Sequence, residues 1–434
     1  MRMEELNKLV NPYGDDKEIA ACGLFGVIDT SGQRFSGRVA MEAMANMHDR
    51  GNGLGGGFAA YGIYPEMANH YALHVMLEDS ASRDVLENYL QQQVHIVHKE
   101  EIPTSRRRAA RVGKPPLLWR YFFDLCTSGD HDCDDCDSRS HGDGAAADAA
   151  GDVAADAAGD VAGDAAGDAL VEDQVNERLV RMVMHINREL PGAYVFSCAR
   201  NMGVFKGVGY PEDIGEFFRL DEYDGYLWTG HNRFPTNTQA WWGGAHPFSL
   251  LDWTVVHNGE ISSYGTNRRF LEMYGYHCTL HTDTEVIAYA VDLLIRRHAL
   301  AVNEAAAVLA APLWNVIDRL PEPARRRYSA LRRAYAPLLL NGPFTVIIAR
   351  QGEMIGLGDR IRLRPFVAAT AGSRVYVASE EAPIRLVEPS VDRVWIPRGG
   401  EPVVARLQQH AGVELQAQLQ AQVRAEQAVL SAAV

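Results

Sequence analysis

Short apolar runs alternate with glycine-marked turns along this chain, and the period of the apolar positions divides it into elements. Gly23-Leu24-Phe25-Gly26-Val27-Ile28 is apolar throughout, the pattern of a buried strand. A turn at Ser31-Gly32 follows, then a stretch from Gly37 to His48 whose Val39, Met41, Met44 and Met47 recur at near-helical spacing. Phe58–Tyr64, Tyr71–Leu77, Val94–Val97 and Trp119–Leu125 predict strands, with a helix over Ser82–Gln93. A helix over Glu172–Glu189 keeps Leu179, Val183, Ile186 and Leu190 on one face. Ala193–Cys198 and Gly203–Gly207 predict a hairpin about Asn201-Met202-Gly203.

Further on, Gly225–Thr229 predicts a strand and Val286–Arg297 a helix. Helices over Val302–Leu320 and Pro323–Leu339 are separated by Pro321-Glu322-Pro323. Four strands come next, Phe344–Ala349, Glu353–Leu357, Phe366–Thr370 and Val375–Ser379. Asp392–Ile396 and Pro402–Leu407 predict a closing hairpin around Arg398-Gly399-Gly400, and the Gln/Ala-rich tail from 408 to 434 is helix-prone. Strands and helix pairs in this succession are consistent with an α+β chain of two stacked sheets between helical layers.

One interval breaks the pattern. From Asp124 to Ala169 the chain is mostly Asp, Ala and Gly, with thirteen Asp, no Glu and one Arg, so it carries −12 of the formal −14 and leaves the rest nearly neutral. Such a tract buries too little apolar area to offset chain entropy and predicts a disordered insertion over 124–169. Cys133-Asp134-Asp135-Cys136, with Cys126, His131 and His141, has the look of a metal site but lacks a supporting fold, and no metal is expected. The near-neutral remainder offers no basic nucleic-acid surface. No apolar run approaches the ~18 residues of a membrane span, and Met1–Ala21 has no hydrophobic core for a secretory signal. A cytoplasmic protein with six reduced cysteines is the expectation.

Candidate chemistry begins with Cys22, a thiol at the head of a strand, which is either a nucleophile or one more small buried side chain. The loop His48-Asp49-Arg50-Gly51-Asn52-Gly53 is glycine-rich enough for close backbone approach, without the spacing of a phosphate loop. Polar residues suited to catalysis then crowd between Gly230 and Glu285. Arg233 can fork onto a carboxylate or make a surface ion pair. Asn258-Gly259 is either an ordinary turn or an oxyanion hole built from a side-chain amide and a backbone N–H. Thr282 or Asp283 caps the helix that follows, unless the acid has a ligand.

Taken in order, Cys22-Gly23, His48-Asp49-Arg50-Gly51, His231-Asn232-Arg233, Ala245-His246-Pro247, His257-Asn258-Gly259-Glu260-Ile261 and Asp283-Thr284-Glu285 resemble the class II, N-terminal-nucleophile glutamine amidotransferases. Arg233-Phe234-Pro235-Thr236-Asn237-Thr238, Trp241-Trp242 and Gly358-Asp359-Arg360-Ile361-Arg362-Leu363-Arg364-Pro365 are most similar to the stand-alone glutaminase subunit of glutamate synthase. The resemblance implies a four-layer αββα sandwich of two mostly antiparallel sheets over 22–407, and a propeptide, 1–21, whose removal frees the Cys22 α-amine. An α-amine titrating near ~7.7–8.0 suits a general base at neutral pH.

It further implies Cys22 as nucleophile for L-glutamine, Asn258 and Gly259 as oxyanion donors, Arg233 on the substrate carboxylate and Asp283 on its ammonium. Thr236, Asn237, His246, Arg50 and Gly51 fall at positions that shape the site. No cofactor is implied in this chain. FMN and an iron–sulfur cluster are implied on a partner synthase subunit that takes the ammonia in a hetero-oligomer. The alternatives are a glutaminase subunit for another acceptor, such as N-methylglutamate or amino-sugar synthesis, and a non-catalytic regulatory subunit of the same fold.

Overall fold

A computed structural model describes residues 22–125, 160–234, 240–280 and 282–408. The buried strand expected after Cys22 is Gly23–Asp29, and it lies at the centre of a seven-stranded sheet. On one side it pairs with Leu227–Asn232, then Gly56–Tyr61 and Met202–Gly207; on the other come Arg374–Ala378, Val367–Ala371 and Arg393–Trp395. A second sheet runs Phe248–Leu250, Trp253–Gly259, Phe344–Arg350, Glu353–Gly358 and Val403–Arg406. Every pairing in both sheets is antiparallel.

The central strand is buried along its whole length because both its faces are covered. Side chains alternate across a strand, and here one set meets the second sheet while the other meets the helix Arg38–Asn46. The helices Pro211–Phe217 and Glu381–Val387 complete that outer layer. Tyr264–Glu272 and Asp283–Val291 cover the second sheet from outside, giving the four αββα layers. A four-stranded antiparallel sheet, Val94–Glu101, Leu117–Leu125, Tyr71–Leu77 and Ala193–Arg200, continues beside Phe248–Leu250. The helix Ser80–Gln91, capped by the Asp79 carboxylate on Ser82 N, packs Leu86 and Leu90 against it.

Several expectations need correction. Arg393–Trp395 and Val403–Arg406 form no hairpin: the first pairs with Val367–Ala371 in one sheet and the second with Glu353–Gly358 in the other. The Arg398–Gly400 segment is therefore a crossing between layers, which turn residues alone do not distinguish from a reversal. The strand expected to stop at Thr229 continues to Asn232, where two polar residues are buried because His231 Nε2 and Asn232 Nδ2 find backbone carbonyl partners outside the strand. The helix expected over 302–320 breaks at Pro312 into Val302–Leu309 and Trp314–Ile317, and the next spans Ala324–Ala334 only. The Val286–Arg297 helix starts at Asp283 and widens into a π turn from Asp292.

The tract expected to be disordered over 124–169 is ordered at both ends. Asp124 and Leu125 finish a strand, where Asp124 meets His70 at 2.9 Å. The helix expected from Glu172 begins at Asp160, since alanine-rich sequence extends a helix readily. The intervening 126–159, with the Cys133–Cys136 cluster, lies outside the described residues, as do the 1–21 leader, 409–434, Thr236 and Asn237.

Candidate active site

Cys22 precedes the central strand and is positioned by both of that strand's neighbours. The register sets Gly23 opposite Asn232, and Leu24 N–H donates to Ser379 Oγ at 3.1 Å while Leu24 O accepts from Ser379 N–H at 3.0 Å. Arg233 follows Asn232 and Glu380 follows Ser379, so both side chains are delivered to the end of the sheet from which Cys22 emerges. The Cys22 Sγ accepts the Phe234 N–H at 3.3 Å. Its carbonyl accepts from Asn258 Nδ2 at 2.8 Å and from Arg50 Nε at 3.2 Å. Arg50 also pairs with Glu380.

Burial pushes the Cys22 thiol up, against the Phe234 N–H and the Arg233 and Arg364 cations, which pull it down. Burial likewise pulls the Arg233 guanidinium down, while Cys22 and Asp283 act the other way. These residues therefore share one electrostatic site although they lie on separate elements.

Alternation on Trp253–Gly259 explains two roles for neighbouring residues. Asn258 points toward the first sheet and reaches Cys22, whereas His257 points outward to the helix Asp283–Val291. Gly259 sits at φ 157°, where an added Cβ would stand 2.1 Å from Pro343 O, so no side chain fits there. On the outer helix Thr282 is the N-cap, its Oγ1 accepting Thr284 N–H at 3.3 Å. Asp283 is thus spared capping duty, and its Oδ2 accepts the Ile261 N–H at 3.0 Å. Burial pushes this carboxyl up, but the His257 ring and the hydrogen bonds from Ile261 and Thr284 hold it below the usual carboxylate range.

Three histidines pack behind these groups. His231 stacks on His246 with ring centroids 3.9 Å apart, and Thr284 Oγ1 lies 2.7 Å from His246 Nε2 and 3.1 Å from His257 Nδ1. His231 Nε2 bonds the His257 carbonyl at 2.9 Å, which assigns the proton to Nε2. Its Nδ1, His246 Nδ1 and His257 Nε2 are buried and meet no partner among the described residues. Burial pushes His231 down to about 3 and His246 well below its ordinary value, so both stay neutral.

The structure thus gathers Cys22, Arg50, Arg233, Asn258, Gly259 and Asp283, with His246 in the wall behind. Gly51 supports them: a Cβ there would stand 1.8 Å from Asn232 Oδ1. Asn232, in turn, holds the His48–Arg50 turn by donating to Met47 O at 2.8 Å and His48 O at 3.0 Å. Asn232, Thr284, Glu380 and Arg364 were given no role from sequence, although Asn232, Thr284 and Arg364 stand within the quoted motifs. Among the described residues no group of three His, Cys, Asp or Glu side chains is placed to hold a metal, and no helix is long and apolar enough to cross a membrane.

A cysteine heading the middle strand of two antiparallel sheets, themselves enclosed by helices, is the architecture of the N-terminal-nucleophile hydrolases. Within that class the chain belongs to the family described as "Glutamine amidotransferases class-II", which matches residues 171–427. An uncharacterized protein of Archaeoglobus fulgidus is 51% identical over 395 residues, covering 90% of this chain and 94% of that one. The glutamine amidotransferase-like protein GlxB of Rhizobium meliloti is 28% identical over 211 residues, 48% of this chain and 60% of its own. Glutamine–fructose-6-phosphate aminotransferase (isomerizing) of Vibrio vulnificus is 28% identical over 169 residues, and the match spans 38% of this chain and 25% of that enzyme. The matched family segment begins after Cys22, so Cys22 joins the site through its contacts with Phe234 and Asn258.

Proposed function

We propose that this chain hydrolyses the side-chain amide of L-glutamine at Cys22 and supplies the ammonia to a glutamate synthase subunit. The observation that carries the reading is the 2.8 Å hydrogen bond from Asn258 Nδ2 to the carbonyl of Cys22, which sets an amide donor beside the thiol. A thiol pushed up by burial is neutral and needs a proton acceptor at hand. Removal of residues 1–21 provides one, the Cys22 α-amine, near ~7.7–8.0 in its ordinary state.

The amine takes the thiol proton as sulfur bonds the amide carbon, and Asn258 Nδ2 with the Gly259 N–H holds the oxyanion. The C–N bond then breaks, and the amine's proton leaves with ammonia. Water cleaves the thioester, giving glutamate and returning the proton to sulfur. Arg233 takes the substrate carboxylate and Asp283 its ammonium, a match of opposite charges. Thr236, Asn237 and His246 shape that pocket, while Arg50 and Gly51 fix the loop beside the nucleophile. The synthase assignment rests on the Arg233–Thr238 and Gly358–Pro365 motifs. Flavin and iron–sulfur chemistry belongs to the partner in this reading.

Intact mass after treatment with a glutamine analogue bearing an electrophilic diazoketone tests the reading. The expected product lacks residues 1–21 and carries one analogue on Cys22, and Cys22→Ala keeps its leader and takes no label. A processed Cys22→Ala protein that still hydrolyses glutamine would overturn it.

A further inference from the structure

Lys206 is a lysine in an unusual place. It lies on the edge strand Met202–Gly207 with 1% of its surface exposed, its Nζ 4.4 Å from the Phe248 ring centroid and 5.0 Å from that of Phe196. Among the described residues its one hydrogen bond is to Gly243 O at 3.1 Å. Burying an ammonium with a single acceptor is costly, and a well-packed apolar side chain of similar length is commonly neutral or stabilising in such a slot. Stability therefore does not account for this lysine.

Gly243 belongs to the turn Trp241–Ala245, closed by Gly244 N–H to Trp241 O at 3.1 Å, and leads directly into His246. Through Gly55 that turn abuts Arg233: a Cβ on Gly55 would stand 2.9 Å from Arg233 Cδ and 3.5 Å from Ala245 Cβ, and Arg233 N–H donates to Gly55 O at 2.9 Å. The charged or titratable groups facing Lys206 are Glu285, Arg233 and His246. Burial pushes Lys206 down to about 7 against the pull of Glu285, and burial pushes Glu285 up to about 7 although Tyr289 and the Thr279 and Leu280 N–H groups bond it.

We propose that Lys206 is a positioning residue for the substrate: its ammonium fixes the Gly243 carbonyl, and through it the Trp241–His246 turn, in the shape that lets Arg233 meet glutamine. The inference rests on the glutaminase reading and concerns binding, leaving the chemical step to the groups around Cys22.

The test is steady-state glutamine hydrolysis by the processed wild type and Lys206→Met. Lys206→Met is expected to melt at or above the wild-type temperature, with KM raised about tenfold or more, kcat within threefold, and full labelling of Cys22 at saturating diazoketone analogue. Lys206→Arg, which keeps the cation, is expected to fall between the two in KM. Lys206→Leu, a second apolar replacement, is expected to give the same split of KM from kcat, a readout that serves where Lys206→Met fails to fold. A labelled, active wild type beside a folded Lys206→Met or Lys206→Leu protein with KM within twofold of it overturns this inference alone. A wild type that neither takes label nor releases glutamate overturns the glutaminase reading and this inference with it.

Discussion

Replacing Asn258 by alanine separates the chemistry of the site from its architecture. Asn258 is 1% exposed and its side chain donates to Cys22 O, so its removal deletes one half-buried hydrogen bond. A net loss of about 0.5–1.5 kcal/mol in stability is the usual magnitude for such a deletion. The larger penalty of an orphaned acceptor does not apply, because Arg50 Nε still donates to the same carbonyl at 3.2 Å. In the proposed mechanism the transition state has no such replacement, and losing one oxyanion donor typically lowers turnover ~10²–10³-fold, about 2.7–4 kcal/mol. Asn258→Ala is therefore expected to stay folded and to bind glutamine with KM near wild type while kcat collapses. Coupled glutamate release and thermal melting of the same preparation measure both quantities. A kcat within threefold of wild type would show that Asn258 holds the Cys22 carbonyl and nothing more.

Two further outcomes follow from packing and burial. Gly51→Ala forces Asn232 and the His48–Arg50 turn apart, and overpacking of this kind costs roughly 1–3 kcal/mol; a lower melting temperature with slower labelling of Cys22 is expected, and wild-type values in both would contradict the packing argument. His74 and His231 are buried neutral, each pushed down to about 3, whereas an unfolded histidine titrates near ~6.5. Between those values the unfolded chain binds more protons, so stability is full above pH ~6.5 and falls with acidity, by about 2 kcal/mol for each ring at pH 5. Urea unfolding at pH 7 and pH 5 measures this, and equal midpoints would refute it.

Local pattern reached as far as element identity and stopped short of partnership. The all-apolar run after Cys22 was readable as buried because both its faces are covered, and Tyr71–Leu77 falls on its expected residues. Sheet membership was not readable. Arg393–Trp395 and Val403–Arg406 have hairpin chemistry between them, and only their distant partners place them in different layers. The candidate site divides in the same way. Cys22, Arg233, Asn258 and Asp283 stand out by residue type at strand and helix ends, and the ordered resemblance alone chose between their alternative readings. Asn232, Thr284 and Lys206 bond groups far away in sequence, so their neighbours along the chain do not say what each one holds.

The placement of Cys22 has a consequence for the timing of the protein's birth. The strand it heads is clasped by Leu227–Asn232 and Arg374–Ala378, and the bond from Leu24 to Ser379 closes a span of 355 residues. A chain still on the ribosome has made its thiol first but lacks the two strands that aim it. Contacts of such long sequence separation form late. A truncated or stalled product is thus denied an assembled thiol site, and the order of translation itself guards against a thiol activated too early.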